Sequence, residues 1–124
     1  MNEYQGNSNR LLVEIKDSGG TVINPTPDVV FTNIEVFVVH RTSNKIAAQY
    51  SIPAKTGFKT ATVVDEDGLK LACVLDTDDT INAQQGSYEA QVDTYIADVN
   101  FEGGKMLKRE KGILFTINPA VNGL

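Results

Sequence analysis

From Asp67 to Pro119 the chain passes from strand to turn to strand to hairpin without a gap, and this stretch constrains the fold more than any other. Leu69, Leu71, Cys73 and Leu75 alternate with Lys70, Ala72 and Val74, the two-residue period of a strand with one buried face. Asp76-Thr77-Asp78-Asp79-Thr80 supplies capping side chains for a helical turn over Ile81 to Gln85, and Gly86 closes it where positive φ costs little. A second strand follows at once. Tyr88, Ala90, Val92, Thr94 and Ile96 share its inward face, and Glu89, Gln91, Asp93 and Tyr95 its outward face. Gly103-Gly104 then turns the chain into a last strand carrying Ile113, Phe115 and Ile117, which stops at Asn118-Pro119.

The first half has the same grammar. Leu11, Val13 and Ile15 alternate with Leu12, Glu14 and Lys16, and Asp17-Ser18-Gly19-Gly20 turns the chain into Thr21-Val22-Ile23. The Asn24-Pro25-Thr26-Pro27-Asp28 crossing is too proline-rich for a central strand. Ile34, Val36, Val38 and His40 form one face of a strand whose other face holds Glu35, Phe37 and Val39. Both faces are largely apolar. The spacing therefore predicts a central strand whose outer face is covered by an intrachain loop, foremost the Pro25 to Val30 crossing, or by a partner. Ile46 to Ile52 pairs back through Arg41-Thr42-Ser43-Asn44, and Phe58 to Val64 leads through Asp65-Glu66-Asp67-Gly68 into Leu69. About seven short strands with turns between them predict an all-β, antiparallel sandwich with one short helical turn.

A chain of 124 residues is long enough for one domain with its own core. Residues 1–8 are expected as a flexible arm, 9–119 as the sandwich and 120–124 as a tail. The polar start has no basic segment followed by an apolar run, so neither a signal peptide nor a membrane span is expected. Cys73 stands alone, which rules out an intrachain disulfide, and its strand position makes it a buried hydrophobe. With 11 Lys+Arg against 16 Asp+Glu, the net charge of −5 argues against nucleic-acid binding. The exception is Lys105, Lys108, Arg109 and Lys111 beside the Gly103-Gly104 turn, a solvated arm or a dock for an acidic neighbour.

Nothing assembles a catalytic constellation. His40 is the sole histidine, so neither a nucleophile-base pair nor a histidine zinc site is available. The acids at Asp65-Glu66-Asp67 and Asp76 to Asp79 do not follow calcium-loop spacing and flank opposite ends of one strand. No helix follows either Gly-Gly pair, so no phosphate loop forms. No enzyme, cofactor or metal is expected. Gly86-Ser87-Tyr88 at the head of a strand, after a capped turn, marks a tyrosine corner, with the hydroxyl bonding back to upstream backbone.

Taken in order, Leu11 to Ile23, Ile34 to Val39, Asp67-Gly68-Leu69-Lys70-Leu71, Gly86 to Val92 and Gly112 to Pro119 resemble the immunoglobulin-like domains of tailed-phage virions, above all the N-terminal domain of upper-baseplate proteins. The resemblance spans roughly residues 9 to 119. It implies a non-enzymatic virion component that binds other virion proteins, in the virion and, during assembly, in the host cytoplasm. Family members continue into a second domain, whereas five residues follow Pro119 here. The resemblance thus points to a capsid decoration or auxiliary protein, or a tail or baseplate adaptor, with self-association in the particle allowed. Tyr4, Phe37, Val39, Lys105, Lys108 and Arg109 are the expected partner-binding residues. The alternative is a carbohydrate- or receptor-binding module, but there is no Trp, leaving Tyr4, Phe58, Tyr95 and Phe101 as ring platforms.

Overall fold

The computed structural model describes residues 2–4, 8–16, 20–22, 24–25, 31–66, 68–80 and 83–118. Strands make up 63% of them, joined by one short helical turn. In chain order the strands are β1 (Asn2–Tyr4), β2 (Asn9–Val13), β3 (Phe31–His40), β4 (Ile46–Ile52), β5 (Lys59–Thr60), β6 (Thr62–Asp65), β7 (Leu69–Leu75), β8 (Gly86–Ala97) and β9 (Lys105–Asn118). They form two sheets, ordered β1-β9-β8-β3-β4-β5 and β2-β7-β6. One of the sheets curls into a half-barrel.

The alternation in the sequence places the core between them. Ile34, Val36 and Val38 of β3, Tyr50 of β4, Tyr88, Ala90 and Val92 of β8 and Phe115 and Ile117 of β9 are buried with Leu11, Val13, Leu71, Cys73 and Leu75 of the smaller sheet. Each large apolar side chain so buried contributes roughly 1.5–3 kcal/mol. The Tyr50 hydroxyl donates to the Val74 carbonyl at 2.5 Å, tying β4 to β7. Tyr88 stacks on Phe115 at 5.6 Å, its hydroxyl donates to the Gln84 carbonyl, and its ring stands edge-on to His40.

Several expectations are met in detail. Asp65 pairs with Leu69 across the turn at Gly68, whose φ is 102°. Ala97 pairs with Lys105 across the Gly-Gly turn, where Glu102–Gly104 form a 3-10 step. Others are corrected. The single strand expected over Phe58 to Val64 is divided: β5 runs parallel to β4, Ala61 is buried at the crossing, and β6 joins β7 in the other sheet. The helix is Thr77–Thr80, earlier than expected. The Asp79 carboxylate reaches back to the Asp76 N–H at 2.8 Å, so the acids cap a turn that they themselves build. Asn2–Tyr4, expected as flexible arm, pairs in parallel with Thr116–Asn118 of β9. Of Thr21-Val22-Ile23, Val22 forms a lone bridge to Lys16. The Asp17-Ser18-Gly19 turn, most of the Pro25 to Val30 crossing and the 120–124 tail lie outside the described residues.

Candidate functional site

Glu35, Phe37 and Val39 point to the face of β3 away from the core, and the register aligns Ser51, Glu35, Asp93 and Arg109 across β4, β3, β8 and β9. Glu35 and Asp93 are therefore neighbours on adjacent strands, and both are buried, at 4% and 2% exposure. Two carboxylates so placed repel. Each is held by its own cation: Arg109 forks onto Asp93 with Nε at 2.8 Å and Nη2 at 3.0 Å, and Lys55 Nζ lies 2.6 Å from Glu35 Oε2. The hydrogen bond to Asp93 and its charge raise the Arg109 pKa, as the hydrogen bond to Glu35 raises that of Lys55. Burial first, then the nearby Glu35 to which it hydrogen-bonds, pushes the Tyr95 hydroxyl up. The cationic arms are half-exposed and lie over the acids as lids.

The outward face of β8 is polar, as the alternation predicts, and yet Asp93 on it is buried. Asp93 faces outward yet lies beneath Arg109, a pairing fixed by register between strands and invisible in either strand alone.

Phe37 and Val39 are half-buried. Part of their cover is intrachain and comes from the segment after β4: the Phe58 ring stands edge-on to Phe37 at 5.8 Å, with Lys55 Nζ 4.8 Å over the Phe58 ring. Beside this pair a hollow of about 300 Å³ is lined by Phe37, Val39, Asn44, Ile46, Gln91, Asp93 and Arg109. Ile46, which the sequence reading placed in a strand register without assigning it a site role, is 53% exposed there.

Of the expected partner-binding residues, Phe37, Val39 and Arg109 thus come together. Lys105 pairs with Ala97 at the hairpin turn. Lys108 faces the other side of β9, bonded to Glu110 at 3.0 Å and to the Lys16 carbonyl at 3.1 Å. Tyr4 sits opposite Asn118 at the far end of β9. Among the described residues no group of three or more His, Cys, Asp or Glu side chains could hold a metal, and no helix is long and apolar enough to cross a membrane. No protein-family model matches the chain, and neither a curated protein nor a solved structure matches it.

Proposed function

We propose that this chain is a non-enzymatic structural component of a tailed-phage virion, an immunoglobulin-like sandwich that decorates the capsid or adapts tail parts by binding other virion proteins. Two features support the immunoglobulin-like reading. Strands β9-β8-β3-β4 opposite β2-β7-β6 follow the order of variable-type sandwiches, and Tyr88 bonding to the backbone four residues upstream has the form of a tyrosine corner. The observation that carries the binding role is the outer-face patch, where the apolar side chains of Phe37, Val39 and Ile46 border a hollow beside a hydrogen-bonded ion pair whose carboxylate is buried. An apolar centre edged by an arginine is the composition of a protein-binding surface.

The glycan-binding alternative has less support. Phe58 is engaged edge-on with Phe37 and covered by Lys55, and Tyr95 is bonded to Glu35, which leaves Phe101, 48% exposed, as the presented ring among the platforms whose side chains are described; that of Tyr4 lies outside them. Mass spectrometry of purified particles tests the proposal: the chain should copurify at a fixed ratio to a capsid or tail protein. Its absence from particles made by cells that express it would overturn the reading.

A further inference from the structure

The outer face of the larger sheet carries more than the hollow beside Phe37. Register sets Leu114, Glu89, Val39 and Ile46 in one row across β9, β8, β3 and β4. Large apolar side chains stand at both ends of that row, each 53% exposed, with Val39 half-buried between them. Three strand spacings, about 14 Å, separate the two ends. The row is thus apolar at equal distances on either side of its midpoint, which lies between β8 and β3. A two-fold axis through that midpoint lays Ile46 of one copy on Leu114 of another and repeats the contact in reverse, the self-complementarity that a symmetric pair requires.

Charge favours the same occupant. Glu35, Glu89 and Asp93 are the acids on the outward side of these strands, and each is closed within the face, by Lys55 at 2.6 Å, Lys111 at 3.6 Å and Arg109 at 2.8 Å. Lys105 adds one charge at the hairpin end. The chain's net charge of −5 therefore lies on its other surfaces. Two outer faces meet without that repulsion, whereas an approach by any other side brings it in. With β3 10 residues long and four strands abreast, the face measures roughly 33 Å by 19 Å, or about 600 Å², against about 800 Å² per partner in a standard interface. That footprint suits a weak, reversible pair. We propose that the outer face of β9-β8-β3-β4 packs on the same face of a second copy about a two-fold axis, with Ile46 against Leu114. This pairing rests on the outer face being the binding surface and names what it binds: the virion protein that covers the patch is another copy of this chain.

Sedimentation equilibrium of the purified full chain, with no particles present, tests the pairing apart from particle binding. The mean mass should rise from that of one chain at micromolar concentration towards that of two near about 1 mM. Over the same dilution series the amides of Phe37, Val39, Ile46 and Leu114 should shift, and that of Val74 should not. The Ile46→Ser, Leu114→Ser double variant should pair at least about tenfold more weakly, because the two-fold axis removes each apolar contact twice. Both side chains are exposed, so an unchanged melting midpoint certifies that the variant is folded. Val74→Ser, which trims a side chain 42% exposed on the smaller sheet, should pair as the parent does. A chain that stays monomeric at millimolar concentration, a double variant that pairs like the parent, or shifts confined to other amides would each overturn the pairing. A monomeric parent whose Phe37→Ser variant still loses its place on particles would give the binding face a different occupant.

Discussion

The Tyr50 hydroxyl donates to the Val74 main-chain carbonyl at 2.5 Å, so a residue of β4 closes a hydrogen bond with β7 in the opposite sheet. Tyr50 is 1% exposed, and burial, then the charges of Asp79, Cys73 and Asp76, pushes its pKa up. Replacing Tyr50 by Phe keeps the ring but leaves the Val74 carbonyl without this donor. Urea unfolding should register a loss of about 1–3 kcal/mol with an unchanged m-value.

Tyr88→Phe probes the corner in the same way. Its hydroxyl bonds to the Gln84 carbonyl while its ring packs between His40 and Phe115. The variant should lose about 1–3 kcal/mol, yet its folded fraction should bind partners as the parent does. A midpoint unchanged in thermal melts would deny the corner its structural role.

Gly86 has φ of 127°, and a Cβ there would stand 2.8 Å from Nε2 of His40. That histidine accepts from the Ser43 N–H through Nδ1, so Nε2 carries the proton given to the Gln85 carbonyl, and the ring is fixed on both sides. Gly86→Ala should therefore cost about 2 kcal/mol or more. Gly103→Ala is the control, with positive φ but nothing within 4 Å, and calorimetry should find it milder.

Burial raises the Cys73 pKa to about 12 from an ordinary 9.0. Between those values the unfolded thiol loses its proton while the folded one keeps it, so stability falls as pH rises through that window, by up to about 1.4 kcal/mol per pH unit. Tyr50, also raised, adds in the same sense above its ordinary 10.0. Urea midpoints measured across the alkaline range should decline more steeply for the parent chain than for Cys73→Ala. Below pH 9 the two slopes should agree.

What the sequence made legible follows from where each signal resides. Alternation is local, so the faces of β3, β7 and β8 and the hairpins at Gly68 and Gly103-Gly104 were readable from residue order. The division of Phe58 to Val64 was not. Its Thr- and Val-rich composition suits a strand in either sheet, and only the packing of Ala61 and its N–H bond to the Ser51 carbonyl locate the crossing. The burial of Glu35 and Asp93 was equally hidden, since it depends on Lys55 and Arg109 arriving from segments 20 and 16 residues away. Phe37, Val39 and Arg109 were each picked out for apolarity or charge. Ile46 joined them through the β3–β4 register, which no local pattern encodes.

The ion pair beneath the patch has its own test. Arg109→Ala strands a buried carboxylate and should lower the melting midpoint, while adding Asp93→Asn should restore part of the loss. Strictly additive losses would mean that the pair contributes nothing beyond its separate members.

The claim that matters most is that the outer face of β3 binds a particle. Phe37→Ser removes the ring at the centre of the patch and its contact with Phe58, which should cost about 1–2 kcal/mol and leave the chain folded at room temperature. The decisive measurement is the occupancy of this variant on particles that lack the chain, quantified after density-gradient purification beside the parent protein. The account predicts loss of binding by a variant that circular dichroism reports as folded, whereas parent-level occupancy would contradict it.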